Sequence, residues 1–420
     1  MKRTATCAAM ALAILSVAIF TGADWTRFLG PNGNSESADK GLPDDWSAES
    51  NVVWKTELPG FGSSCPITLG DKIFVTAYSG YGLGKGDAGK PEDLERHFIC
   101  LDRATGKIVW DKIVKAALPE QEYPKTQINL HGYASSTPLT DGKAIYVFFG
   151  RSGVYAYSLT GDELWHRDVG AKTHGWGSSN SPILVGDLLI INACVESGAL
   201  IALNKTDGEP KWRVKGMKQS WSTPGVLKTT DGKQEIVVSM QKKVLGIDPA
   251  TGDELWTCEG IDDYTCPTVI THDDVAFITA ARKPATIAVR GGGRGDVTKT
   301  HKLWETGKGS LVPTPVYHDG LLYMFNHNGT AICLKADSGE VVYEQQVKPM
   351  KTVYASPLLA DGKLYSVSRE NGAIVWAVGP EFKQLSRPTL DDKSVFDATP
   401  VPSDGRLLLR SDKFLYCIGK

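Results

Sequence analysis

Residues 135–168, SSTPLTDGKAIYVFFGRSGVYAYSLTGDELWHRD, decide the fold. Ser136-Thr137-Pro138-Leu139 starts a strand, where a proline costs no needed ladder donor. Asp141-Gly142 suits a two-residue hairpin turn, whose central residues both need positive φ. Ala144 to Phe149 predicts a second strand, Val154 to Leu159 a third and Glu163 to Arg167 a fourth. Arg151-Ser152-Gly153 and Thr160-Gly161 turn between them.

The unit repeats along the chain. A small residue followed by proline recurs at Cys65-Pro66, Thr137-Pro138, Ser181-Pro182, Thr223-Pro224, Cys266-Pro267, Thr314-Pro315, Ser356-Pro357 and Thr399-Pro400, with gaps of 72, 44, 42, 43, 48, 42 and 43 residues. A period of about 40–45 residues with strand-like content marks β-propeller blades. The hairpin returns as Asp231-Gly232, Asp319-Gly320, Asp361-Gly362 and Asp404-Gly405. For 420 residues, a length prior of two or three domains yields to the repeat. The expected fold is all-β: an eight-bladed β-propeller of four-stranded antiparallel blades over residues 51–420.

A second signal recurs four residues after the third turn. Gly106 leads to Trp110, Gly161 to Trp165, Gly208 to Trp212, Gly252 to Trp256 and Gly339 to Tyr343, with Trp304 in the matching place after an expanded turn. An aromatic at one fixed place on the outer strand reads as a packing device between blades. The last unit, from Thr399, lacks an outer strand, and residues 51–58, containing Trp54, have no strands before them. The N-terminal strand should therefore close the last blade and remove an open sheet edge.

Before the propeller, residues 1–23 read as a signal peptide: Lys2 and Arg3, an apolar run from Ala8 to Phe20, then Thr21-Gly22-Ala23. The run is short for a membrane span, although an uncleaved anchor stays open as the alternative. Residues 24–50 form an N-terminal extension. The expected location is periplasmic or extracellular, for a monomer with no stable membrane span. A net charge of −2 without a long basic run argues against nucleic-acid partners. Seven cysteines follow the leader, an odd and dispersed set that does not resemble a disulfide framework. Cys100, Cys333 and Cys417 read as buried thiols, whereas Cys258 and Cys266 are open to either pairing or separate burial.

The stretches from Cys100 through Thr105-Gly106 to Trp110, and from Gly246 through Thr251-Gly252 to Trp256, resemble the tryptophan-docking repeat of quinoprotein-type propellers. The resemblance covers about residues 51–420 and implies one of two branches. One holds dehydrogenases of alcohols and sugars dependent on pyrroloquinoline quinone (PQQ) with calcium. The other holds non-catalytic exported propellers, including the lipoprotein scaffold of outer-membrane protein assembly. The enzymes show an adjacent Cys-Cys pair, a Trp beneath the quinone and carboxylate and amide calcium ligands. This sequence has no Cys-Cys pair and no matched calcium motif, so no cofactor is expected.

Loops before the inner strands and between strands two and three share one face, which also carries long connections at 79–96 and 112–134. There His131-Gly132-Tyr133 and His174-Gly175-Trp176 match each other, and Trp221, Tyr264, Tyr354 and Phe396 fall at similar places. Such a ring around a channel mouth suits a planar or polar ligand, or else caps the blade ends by packing. Arg151, Glu196, Lys242, Lys243, Arg282, Lys283, Arg369, Glu370, Asp412 and Lys413 give the face a mild positive excess. An envelope or secreted protein, or an anionic small ligand, is the expected partner there. Arg290-Gly291-Gly292-Gly293-Arg294-Gly295-Asp296 looks phosphate-cradling, but no helix is expected after it. The expected function is an exported, non-catalytic binding scaffold, with the PQQ-dependent dehydrogenase as the alternative.

Overall fold

The computed structural model describes residues 23–420 apart from 85, 87 and 371, so the expected signal peptide lies outside the described residues except for Ala23. Eight antiparallel sheets form an eight-bladed β-propeller, each blade built on four strands. In blade 2 these are Leu139–Thr140, Ala144–Phe148, Val154–Ser158 and Glu163–Arg167. The inner strand is short because Pro138 occupies its start and offers no donor.

A ring of hydrogen bonds joins the inner strands. Except between blades 4 and 5, the residue two places before an inner strand donates its N–H to the matching side chain of the next blade. Cys65 donates to Thr137 Oγ1 at 2.9 Å, Thr137 to Ser181 Oγ at 3.0 Å and Ser181 to Thr223 Oγ1 at 2.9 Å. Thr268 donates to Thr314 at 3.0 Å, Thr314 to Ser356 at 2.9 Å and Ser356 to Thr399 at 3.1 Å. The Cys65 thiol accepts from the Thr399 backbone and carries the series across the seam between blades 8 and 1. Each buried bond of this kind is worth about 1 kcal/mol net.

Blade 5 departs from the proline repeat. Its inner strand is Ile270–His272, so the ring position falls on Thr268 rather than Cys266. Cys266-Pro267 therefore stands two residues out of register with the other small-residue–proline pairs. Between blades 4 and 5 the join is made by Val269 N–H to Thr223 O at 3.3 Å and Ser222 Oγ–H to Pro267 O at 2.7 Å.

Blade 8 closes with Val52–Glu57, which pairs antiparallel with Phe414–Ile418. A second clasp crosses the same seam: buried Arg410 of blade 8 donates to the Ser64 and Thr76 carbonyls of blade 1, each at 2.6 Å. The outer aromatics lie against the next blade's third turn. A Cβ on Gly106 (φ +71°) would fall 2.4 Å from the Trp54 ring, and Gly161 meets Trp110 in the same way. Trp165 packs on Gly208, Trp212 on Gly252 and Trp304 on Gly339. Trp256 departs from this pattern and donates its indole N–H to Glu235 at 2.7 Å, and the Tyr343 ring meets Phe382 at 5.9 Å.

The segment 24–50 is woven into the propeller, on the face of the Asp-Gly turns. Trp25 exchanges hydrogen bonds with Thr68 of blade 1, and the Thr26 carbonyl accepts from Thr140 of blade 2 at 2.9 Å. Leu29 is buried against Ile270, Phe277 and Leu322 of blades 5 and 6. Glu36–Ser37 then pairs parallel with Leu359–Ala360 of blade 7. The glycine-rich segment of blade 5 is also structural. Gly292 N–H and Arg294 meet the buried Glu235 carboxylate, and Gly295–Asp296 pairs with blade 4's outer strand. A one-turn helix, Thr298–His301, does follow it, contrary to expectation. All seven described cysteines are unpaired. Cys258 sits on an outer strand while Cys266 lines the central channel, so the two stand at opposite edges of their sheets.

A chain beginning at residue 59 lacks both closing strand and woven segment, and its melting temperature should fall well below that of residues 24–420. Equal melting temperatures would show that closure lies elsewhere. Arg410→Leu orphans two buried carbonyls and should cost about 2–4 kcal/mol in urea unfolding. An unchanged midpoint would mean that burying the guanidinium costs as much as its bonds return.

Candidate functional site

The inner strands surround a channel whose wall follows from strand alternation, since residues i and i−2 of extended chain face the same side. The ring residues form one tier. Ser63, Ser135, Ser179, Trp221, Cys266, Val312, Tyr354 and Asp397, each two residues earlier, form the next. Phe28 stands among the lining residues, brought there by the woven segment. On the loop-rich side Leu130 and Leu311 lean in. The space, including its open mouth, is about 1060 Å³.

An aromatic collar surrounds the mouth. The Trp176 and Tyr264 rings are 5.9 Å apart, and Trp221 meets Tyr264 edge-on at 6.0 Å. Trp221 is fixed by its indole N–H, which donates to the Gly177 carbonyl at 2.8 Å. His131 uses both ring nitrogens, one with Ser135 Oγ at 2.6 Å and one with the Trp176 carbonyl at 2.7 Å. His174 lies against the Trp221 ring at 4.9 Å, and its Nδ1 accepts from Trp176 N–H. Burial lowers both imidazoles below their usual range, which favours the neutral form. These histidines position the collar.

Asp397 is the acid in the channel. Its carboxylate is 7 % exposed and lies 3.2 Å from Arg369 Nε, without a hydrogen bond to Oδ1. Burial pushes Asp397 up to about 7, against the opposing pull of Arg369. The Arg369 guanidinium covers the Tyr354 ring at 4.7 Å and donates to the Leu130 carbonyl at 2.7 Å. It thereby ties blade 7 to the long 112–134 connection.

Tyr133, Arg151 and His174 line a smaller cleft to one side instead. Tyr133 is buried among Tyr78, Tyr81 and Leu94, in a small core that folds the long connections onto the propeller. Arg151 donates to the Leu118 carbonyl at 2.7 Å. Phe396 points away from the channel and packs against Tyr416 at 6.2 Å. The positive excess is also largely engaged. Lys242 and Lys283 both pair with Asp262, Lys243 with Glu254, and Arg282 covers the Tyr264 ring.

Sequence reasoning passed over Asp397, Phe28 and the Val312 position. Counting back two residues from each ring position would have found Asp397 and Val312. Nothing local marks Phe28 as a channel residue.

Among the described residues no group of three His, Cys, Asp or Glu side chains gathers to hold a metal. PQQ is a tricarboxylic acid, and the charge on the channel wall is itself a carboxylate.

Blade count, tryptophan docking and closure define a propeller of the PQQ-like repeat class. Within it, residues 95–342, and again 293–381, match the family described as outer membrane protein assembly factor BamB, and the chain belongs to that family. The outer membrane protein assembly factor BamB of Yersinia pestis is 22% identical over 264 residues, which are 58% of this chain and 63% of that protein. The crystal structure of BamB from Moraxella catarrhalis superposes with a TM-score of 0.60 at 13% identity, covering 87% of this chain and 96% of that one. A europium-containing methanol dehydrogenase gives 0.64 at 10% identity, covering 95% and 98%. At those identities the structures share the fold alone.

Glu196, buried beside the collar, accepts from Ser178 and leaves Oε2 without a partner. Burial pushes it up to about 7. The folded state therefore holds a proton that the unfolded chain has released between about pH 4.5 and 7, so stability falls as pH rises through that window. Glu196→Gln should raise the urea midpoint at pH 8 and flatten the loss between pH 5 and 8. Parallel pH profiles for the two proteins would refute a buried, protonatable Glu196.

Proposed function

We propose that this chain is an exported, non-catalytic scaffold of the cell envelope, docking a protein of outer-membrane protein assembly on its loop-rich face. The observation that carries the reading is the match of residues 95–381 to the assembly-factor family. The geometry agrees with it. The half-exposed collar and the packed 112–134 connection give a firm, aromatic-rich rim, and such rims concentrate binding energy in few residues. Residues 1–23 act as the export signal in this reading. No helix among the described residues is long and apolar enough to cross a membrane.

Photo-crosslinkers placed at exposed Lys172 on the rim and at Asp319 among the Asp-Gly turns test the docking face in intact envelopes. Adducts with an outer-membrane assembly protein should form from position 172, and Trp176→Ala should reduce them about tenfold, the loss of one aromatic anchor. Adducts confined to position 319 would move docking to the other face. With calcium and PQQ added, the purified protein should show no quinone spectrum and no dye-linked alcohol oxidation. Turnover would replace the scaffold reading with the dehydrogenase.

A further inference from the structure

The channel is more than a hole left by eight blades. Phe28 lines it from the woven segment, and Leu130, Leu311 and Val312 add aliphatic surface to its wall. Trp176, Trp221, Tyr264 and Tyr354 add aromatic faces, and Ser and Thr side chains line most of the remainder. Pockets of about 300–1000 Å³ with apolar walls and one or two fixed polar groups take small molecules. The channel's acid is Asp397, more than nine-tenths buried, whose Oδ1 lies 3.2 Å from Arg369 Nε but accepts no aligned hydrogen bond. Arg369 stacks on the Tyr354 ring and flanks Asp397 but is not among the residues lining the channel. On the channel side the acidic lining group that a ligand meets is the Asp397 carboxylate, with Arg369 on its far flank, so an ammonium would find an acceptor with a free lone pair together with aromatic faces.

We propose that the channel binds one small aromatic amine, a flat apolar ring system carrying a protonated nitrogen. The ring lies against the Trp176, Tyr264 and Tyr354 side of the wall, and the nitrogen donates to Asp397. This goes beyond scaffolding. Loss of rim crosslinks with amine binding intact would remove only the docking reading, and the converse result would remove only this one.

Calorimetric titration of residues 24–420 at pH 8 with tryptamine and with indole-3-acetate tests it, because the two probes share a ring and differ in charge. Tryptamine should bind saturably at one per chain, at least about tenfold more tightly than indole-3-acetate. Asp397→Asn should erase that preference. Ser179→Trp, which fills the channel without touching the acid, should abolish uptake, with folding of both variants checked by circular dichroism. Failure of tryptamine to saturate at millimolar concentration overturns the proposal. So does equal binding of the two probes, or an Asp397→Asn variant that keeps the preference.

Discussion

The hydrogen bond from one inner strand's N–H to the next strand's hydroxyl is the constraint on which this propeller depends. The acceptor in seven of the eight blades is a small side chain carrying a hydroxyl or thiol, and the bond sets the distance between neighbouring blades at their narrowest point. The following proline removes a donor that would otherwise face the channel unsatisfied. At the outer edge, an aromatic ring pressed on the next blade's turn glycine fixes the wider spacing. Together the two contacts make each blade a wedge, and eight wedges of that angle close.

Closure also explains what the channel contains. A two-tier wall follows once the ring positions are fixed, because alternation turns every second residue inward. Hydroxyls spent on the ring leave the tier toward the loops to set the chemistry. That tier varies: Ser on one side, aromatic and aliphatic residues on the other, and a lone carboxylate at Asp397. Burial without an aligned donor explains why this acid holds its proton near neutrality, even with Arg369 beside it.

The 24–50 segment shows how far a propeller's interior can be altered from outside its repeats. It crosses blades 1, 2, 5, 6 and 7 before the chain enters the closing strand of blade 8, Val52–Glu57. Its apolar residues, Trp25, Phe28 and Leu29, occupy sites that no blade residue fills. The channel is therefore shaped by chain outside the repeat period.

Much of the fold was legible in the sequence because most blades repeat the same local demands: a proline at the strand start, a positive-φ turn, an aromatic four residues past a glycine. Closure by residues 52–57 was legible because one unit lacked a strand and one strand lacked a unit. Five of the expected face residues, His131, Trp176, Trp221, Tyr264 and Tyr354, line the channel. Tyr133, Arg151 and His174 do not, because aromatic or basic character does not say which way a loop residue turns. Phe396 was singled out for its ring, while its neighbour Asp397 holds the inward position. The misplaced Cys266-Pro267 shows the same limit: a dipeptide can recur near the right period and still miss the hydrogen-bond register. Sequence determined the repeat and its closure, since those follow from local backbone chemistry. Only the tertiary structure decided which side chains share the channel, because that depends on a two-residue register and on a segment, 24–50, whose contacts lie up to hundreds of residues away.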